Sequence, residues 1–307
     1  MKQIDYSIII PHHNTASELQ RLLDSIPSLP EVEIQIIVVD DASDADTVEH
    51  LHHLQPLFDD RVEWIFLSQN VGGGAARNLG LSRARGEHIL LADADDFFLP
   101  SFRDILLKYQ SDRETDIIYC NAIALDSATL LPTINRAAHL QRYIALAKDH
   151  PAEGELWLRY LFGEPWCRIM RRSFLEEYAL QFEPLRSHND TRFGYESGYN
   201  ARKIMVESTA IYCITQSPVS VYSREYVGKV ENRVAVFARK NRFLSDHHVP
   251  IFDYALIVPF EKALSHGRIA EFRRLMSIAV SNGMSRQQLW WHIVKKLFLR
   301  FIPKKDS

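Results

Sequence analysis

Short apolar runs alternate with amphipathic segments through the first two-thirds of the chain, and run after run stops at a polar cluster. Residues 6–11 (YSIIIP) predict a strand that ends in His12-His13-Asn14. Ser17 and Gln20 form a capping-box pattern, after which Leu19, Leu22, Leu23 and Ile26 recur at helical spacing until Pro27. Residues 33–39 predict a second strand that stops at Asp40-Asp41, with Val48, Leu51 and Leu54 marking the helix beyond. Residues 62–67 predict a third, ending at Asn70 and three glycines, before a helix over 75–85. A fourth, 87–92, runs straight into Asp93, Asp95 and Asp96. Continuous apolar runs suit parallel strands covered on both faces, and the β–α alternation predicts a sheet between two helical layers.

Further strands are expected over 116–125, 167–170, 210–215 and 219–223, with helices over 100–109, 139–148, 157–162 and 187–203. A first domain would then cover 1–225. From 226 the chain turns helical, with segments over 230–244, 254–265, 269–281 and, last, 286–303.

Composition adds little until charge is located. With 46% hydrophobic and 24% charged residues the chain is an ordinary globular sequence. The net charge of −3 hides an asymmetry, because from Phe272 onward eight Lys/Arg face one acid, a balance of +7. Three widely spaced cysteines suggest free thiols in a reducing compartment. Neither a signal-peptide core nor an apolar run of ~18 residues is present, so a cytoplasmic protein is expected, with no nucleic-acid partner.

The candidate chemistry lies at the strand ends. Side chains alternate along a strand, so Asp93 and Asp95 point the same way. Like charges that close need a shared cation or proton, and hard divalent ions are held by one or two carboxylates plus substrate phosphates. The same acids could instead cap the helix over 100–109. Open α/β sheets bind ligands outside the carboxyl ends of their strands, where this chain gathers Asn14, Asp40/Asp41, Asn70 with the glycines, and Asp93/Asp95. That coincidence favours a nucleotide site over four separate caps, while Asp40 and Asp44 themselves read as caps. A dinucleotide fingerprint would need a small residue at Arg77 and would follow the first strand, and no Gly-Lys-Ser/Thr of a P-loop occurs.

In this order and spacing, SIIIPHHN, IIVVDDASD, NVGGGAARNLGLSRARGEHILLADADD and the W-x-R-x-M-R-R-S-F-L stretch from Trp166 resemble the GT-A glycosyltransferases of family 2, over residues 6–225. The resemblance implies an α/β GT-A fold, a mixed Rossmann-like sheet with helices on both faces, here with a C-terminal helical extension. It implies a nucleotide-sugar donor, a UDP-sugar, with Asp41 at the base, Asp93 at the ribose and Asp95 as the ligand of Mn²⁺ or Mg²⁺. Pro11, Asn14, Gly73, Arg77 and Asn78 would line the donor, the last two on the diphosphate side. His13 departs from the Tyr usual in the family.

Family members commonly carry Glu-Asp where this chain has Asn189-Asp190, the Asp being the catalytic base. The resemblance therefore implies Asp190 as base in an inverting transfer of a hexosyl or N-acetylhexosaminyl group to a glycan hydroxyl, in surface polysaccharide or lipid-linked glycan synthesis. By local sequence alone Asp190 reads as a plain N-cap, and Glu196 is the reserve candidate. A second reading stays open: a degenerate GT-A module that holds nucleotide without turnover, for which Asn189 speaks.

In the tail, Leu289, Trp290, Ile293, Val294, Leu297, Phe298, Phe301 and Ile302 fall on one helical stripe, with Lys295, Lys296 and Arg300 off it. Such a basic, Trp-bearing helix fits an interfacial anchor on an anionic membrane, at the inner face where a lipid-linked acceptor would sit. The alternative is a helix packed on its own domain or on a second subunit.

Overall fold

The computed structural model describes residues 3–58, 61–133, 136–216 and 227–299. The chain divides into two compact units, Met1–Ser220 and Val221–Ser307. The expected boundary at 225 and the expected strand over 219–223 fall outside the described residues.

In the first unit, β1 (Tyr6–His12), β2 (Ile34–Asp40), β3 (Val62–Phe66) and β4 (His88–Leu91) lie parallel in the order β3-β2-β1-β4. They are joined by α1 (Ala16–Ser25), α2 (Ala45–Phe58) and α3 (Gly73–Arg83). Ile8, Ile9, Ile10, Ile37, Val38, Val39 and Ile89 are fully buried, as continuous apolar runs between two helical layers require. β7 (Arg168–Arg171) extends the sheet antiparallel to β4, and β6 (Ile117–Asp126) lies antiparallel to β7. β8 (Ile204–Gln216) runs parallel to β6, and the two-residue β5 (Phe97–Phe98) closes the edge antiparallel to β8. The expected mixed sheet is therefore present, with eight strands among the described residues. Pro11 is tolerated in this central strand because β1 outruns β4: the β1–β4 register ends at Ile9–Leu91, where a missing N–H breaks no ladder.

Several local expectations are corrected. The capping box at Ser17 does not form, since α1 begins at Ala16 and its cap, Thr15, uses no side chain. Instead the Thr15 N–H donates to His12 Nε2 (3.2 Å). β8 starts at Ile204 rather than 210, because its first half is largely exposed and carries no apolar run. The helix expected over 187–203 is α8 (Thr191–Asn200), preceded by a loop. α4 (Phe102–Tyr109), α5 (Ala138–Asp149) and α6 (Pro151–Tyr160) fall near their expected places, whereas α7 (Arg172–Glu177) was not anticipated.

The second unit holds α9 (Val227–Asp246), a 3₁₀ turn (Tyr254–Leu256), α10 (Val258–Ser265), α11 (Ile269–Ser281) and α12 (Arg286–Leu299). Val234, Leu256, Phe260, Leu275, Leu289 and Ile293 are among its core residues. A buried ion pair, Lys240 Nζ to Asp253 Oδ2 at 2.5 Å, ties α9 to the segment before the turn. The apolar stripe expected along α12 is split. Leu289 and Ile293 are fully buried and Leu297 packs beside them, while Trp290, Trp291, Val294 and Phe298 stay exposed. Phe301 and Ile302 fall outside the described residues.

Candidate active site

The carboxyl end of β2 turns on two acids with different duties. Asp40 is buried and accepts from His12 Nδ1 (2.8 Å), from the Ser43 N–H (3.1 Å) and from Ser43 Oγ (2.5 Å). Burial pushes its carboxyl up, but these donors outweigh that and hold it below the usual carboxylate range. It therefore fixes the turn, and Asp44 caps α2 by accepting the Thr47 N–H (2.9 Å). Asp41 clamps the glycine loop: Val71 N–H donates to Oδ1 (2.6 Å) and Gly72 N–H to Oδ2 (2.8 Å). Asn14, expected at the donor, fastens the loops after β1 and β2 together. Its N–H donates to Ser43 Oγ (2.9 Å), and its Oδ1 accepts the Asp44 N–H (2.9 Å).

The segment after β4 does not cap the following helix, whose N-cap Ser101 uses no side chain either. It is held from below. Tyr212 of β8 accepts the Asp93 N–H (2.8 Å), Asp96 accepts the Thr215 N–H (2.7 Å), and the Asp95 carbonyl takes bonds from Arg21 Nη2 (2.5 Å) and Thr215 Oγ1 (2.6 Å). Asp96 is buried and serves as an anchor, its carboxyl raised by burial and then by Asp95 and Asp93. Asp95 opens to solvent at the mouth, yet desolvation by the surrounding protein and then the Asp93 charge push it up to about 6.

Arg77 connects this segment to the second half of the site. Its Nη2 lies 2.6 Å from Asp93 Oδ1, its Nη1 donates to Asn189 Oδ1 (3.4 Å), and its guanidinium stands 5.5 Å over the Phe182 ring. Asn78, expected on the diphosphate side, has both amide atoms on the Phe182 backbone (2.9 and 2.8 Å), so here it is a strut between α3 and that loop. The glycines were expected to let a ligand approach the backbone. At Gly74 it is the chain's own loop that comes close: a Cβ there would sit 2.5 Å from the Glu183 carbonyl and 3.0 Å from Asn189 Cβ. Gly73 lies against Arg77 Nη1, 3.3 Å from where its Cβ would be.

Asp190 stands at the N-cap position of α8 but its side chain makes no cap bond. Burial raises its carboxyl to about 6, with Arg77 pulling it down and Glu164 and Asp93 pushing it up. A carboxyl poised near neutrality is suited to proton abstraction. Glu196, the reserve candidate, is paired with Arg192 (2.7 Å) along α8. Asn189 leaves no gap, since its amide meets Arg77 and the Leu185 carbonyl (3.2 Å).

Sequence reasoning missed Tyr212, Arg21, Glu164, His139 and Arg168. Arg168 is fully buried, bonded to the Phe162 carbonyl and to Ser197 Oγ (3.2 Å), and flanked by the Tyr119 and Phe162 rings. Its place in the Trp166 motif was a signal of importance without a signal of role. Among the described residues no three His, Cys, Asp or Glu side chains converge on one point. A divalent ion would thus take few protein oxygens and complete its shell from phosphates and water, as Mg²⁺ habitually does. Asp93 crowds against Asp95 and Asp96, whose carboxyls are raised, and the cluster fits such an ion, whose charge would relieve their repulsion.

Comparison with known proteins agrees with this fold. The chain is similar to the succinoglycan biosynthesis protein ExoO of Rhizobium meliloti, 27% identical over 291 residues that cover 90% of this chain and 76% of that protein. Its fold matches Staphylococcus aureus TarS 1–349 in complex with UDP-GlcNAc, with a TM-score of 0.68 at 18% identity over 96% of this chain and 85% of that one. It also matches the mannosyltransferase PcManGT of Pyrobaculum calidifontis in complex with GDP-Man and Mn²⁺, at TM-score 0.53 and 15% identity over 97% and 81% of the two chains. The sequence profile of Glycosyl transferase family 2 matches residues 7–179, more than half of the chain, and the protein belongs to that family of glycosyltransferases.

Proposed function

We propose that this chain transfers a hexosyl or N-acetylhexosaminyl group from a UDP-sugar to a hydroxyl of a glycan acceptor, with inversion, in surface polysaccharide or lipid-linked glycan synthesis. The observation that carries the reading is Asp190: a carboxyl at a helix start that caps nothing, raised to about 6, beside the Arg77–Asp93 pair. Asp190 takes the acceptor hydroxyl proton as that oxygen forms its bond to the anomeric carbon, and the bond from that carbon to the diphosphate breaks with its electron pair on phosphate. Asp41 and the loop it clamps form the base side, and Asp93 the ribose side. Mn²⁺ or Mg²⁺ on Asp95 would neutralise charge on the departing diphosphate, a Lewis-acid contribution of several kcal/mol. Arg77 holds Asp93 and Asn189 in register, while Asn14 and Asn78 act by fixing loops. The donors bound in structural relatives support a nucleotide-sugar donor: TarS 1–349 was solved with UDP-GlcNAc and PcManGT with GDP-Man and Mn²⁺.

The test is Asp190→Asn, assayed against a panel of UDP-sugars with Mn²⁺. Transfer should fall by ~10²–10⁴ with UDP affinity by calorimetry unchanged. Transfer near the unsubstituted rate would remove Asp190 from the mechanism and direct attention to Glu196.

The acceptor reading extends to place. The exposed Trp290, Trp291, Val294 and Phe298 on α12, with Lys295 4.7 Å over the Trp291 ring, support a peripheral seat on an anionic membrane at its cytoplasmic face. No helix among the described residues is long and apolar enough to cross a membrane. Replacing Trp290, Trp291 and Phe298 together by Ser should release the full chain from phosphatidylglycerol vesicles in co-sedimentation. If the unsubstituted chain itself stays in the supernatant, the surface is not a lipid contact.

A further inference from the structure

The segment 161–164 that follows α6 lies directly against the first turn of α8. A Cβ on Gly194 would sit 3.1 Å from the Gly163 carbonyl and 3.2 Å from its Cα, so any side chain there would press the loop back, and glycine lets it come this near. Buried Arg168 secures the approach by bonding the Phe162 carbonyl on one side and Ser197 Oγ of α8 on the other. The residue delivered to the start of α8 by this arrangement is Glu164. Its carboxylate is gripped by His139 Nε2 of α5 at 3.0 Å, and the His139 ring is in turn steadied by Phe162 and Tyr143.

We propose that Glu164, locked by His139, is a positioning residue for transfer, whose charge beside the start of α8 sets the pH at which Asp190 accepts the acceptor proton. The inference rests on Asp190 being the general base. The charged groups acting on Asp190 are Arg77 from α3, Asp93 from the segment after β4, and Glu164. Those acting on the Glu164–His139 pair are Arg168 and Arg136. Burial works against ionisation of both members, but their bond prevails, holding Glu164 below and His139 above their ordinary ranges. An ionised Glu164 repels a second negative charge on Asp190, and a protonated His139 tempers that repulsion.

The two partners must therefore move Asp190 in opposite directions. Removing the charge in Glu164→Gln should lower the Asp190 midpoint by about 0.5 pH unit or more, and removing the cation in His139→Gln should raise it. Glu164→Asp, which keeps the charge, should stay close to the unsubstituted midpoint. The measurement is a carbon-13 NMR titration of metal-free full-length protein carrying aspartate labelled at the carboxyl carbon, with Asp190 assigned by loss of its signal in Asp190→Asn. It needs neither donor nor acceptor. An unmoved midpoint in Glu164→Gln, or shifts of one sign in both Gln variants, overturns the proposal. If instead Asp190→Asn retains transfer while the midpoints move as stated, the base assignment fails and the electrostatic link stands.

Discussion

A carboxyl that titrates near 6 in the folded chain and near 3.8 when unfolded prefers its proton in the fold, and Asp95 is such a group. Its ionisation therefore subtracts stability as pH rises from about 4 to 6, and the deficit is complete above that. Asp95→Asn should raise the melting temperature of the metal-free protein at pH 8, with the gain closing near pH 4. Because Asp95 opens to solvent, screening keeps the gain below about 1 kcal/mol, or about 2 °C at this size. The same variant should lose Mn²⁺-dependent UDP binding in calorimetry; unchanged affinity would falsify its role as ligand. Asp41, Asp93, Asp95 and Asp190 were legible because each closes a strand or opens a helix, where a polar residue after an apolar run stands out. Tyr212, Glu164 and His139 were not, since what makes them matter is a neighbour 25 or more positions away on one side or a loop placed by packing on the other. Asn14 and Asn78 were legible as polar positions in a motif, but the motif does not say which partners their amides take.

Elements were read well wherever burial on both faces left a continuous apolar run, as in β1, β2 and β4. They were missed where pairing alone defines them: Phe97–Phe98 is a strand only because Cys213 and Tyr212 lie opposite. α12 shows the limit of periodicity most clearly, because one stripe of apolar positions serves a core on one edge and open solvent on the other. Ile293→Ala should cost about 2–5 kcal/mol in chemical denaturation, and Trp290→Ser less than about 1 kcal/mol. Equal losses at the two positions would mean that Trp290 is covered. For the same reason, truncation before Arg286 removes Leu289 and Ile293 from the core and should destabilise the second unit, so surface substitutions are the proper test of the membrane seat.

Across the whole molecule, charge is divided against itself. The chain after Phe272 carries +7, and everything before it −10. An anionic surface should therefore attract one end and repel the rest. Binding to phosphatidylglycerol vesicles should weaken steeply between about 0.05 and 0.5 M salt, as the screening length contracts, while binding driven by Trp insertion alone would not.

Gly74 carries a consequence for how this site can vary by descent. A methyl group there would strike the Glu183 carbonyl, so the glycine loop and the stretch leading to Asp190 cannot drift apart independently. Gly163, by contrast, has open space where its Cβ would be. In a saturation library selected for transfer, position 74 should return glycine alone and position 163 a broad alphabet. Variants that do escape at 74 should carry a second change within 183–189, inherited with the first as a single allele.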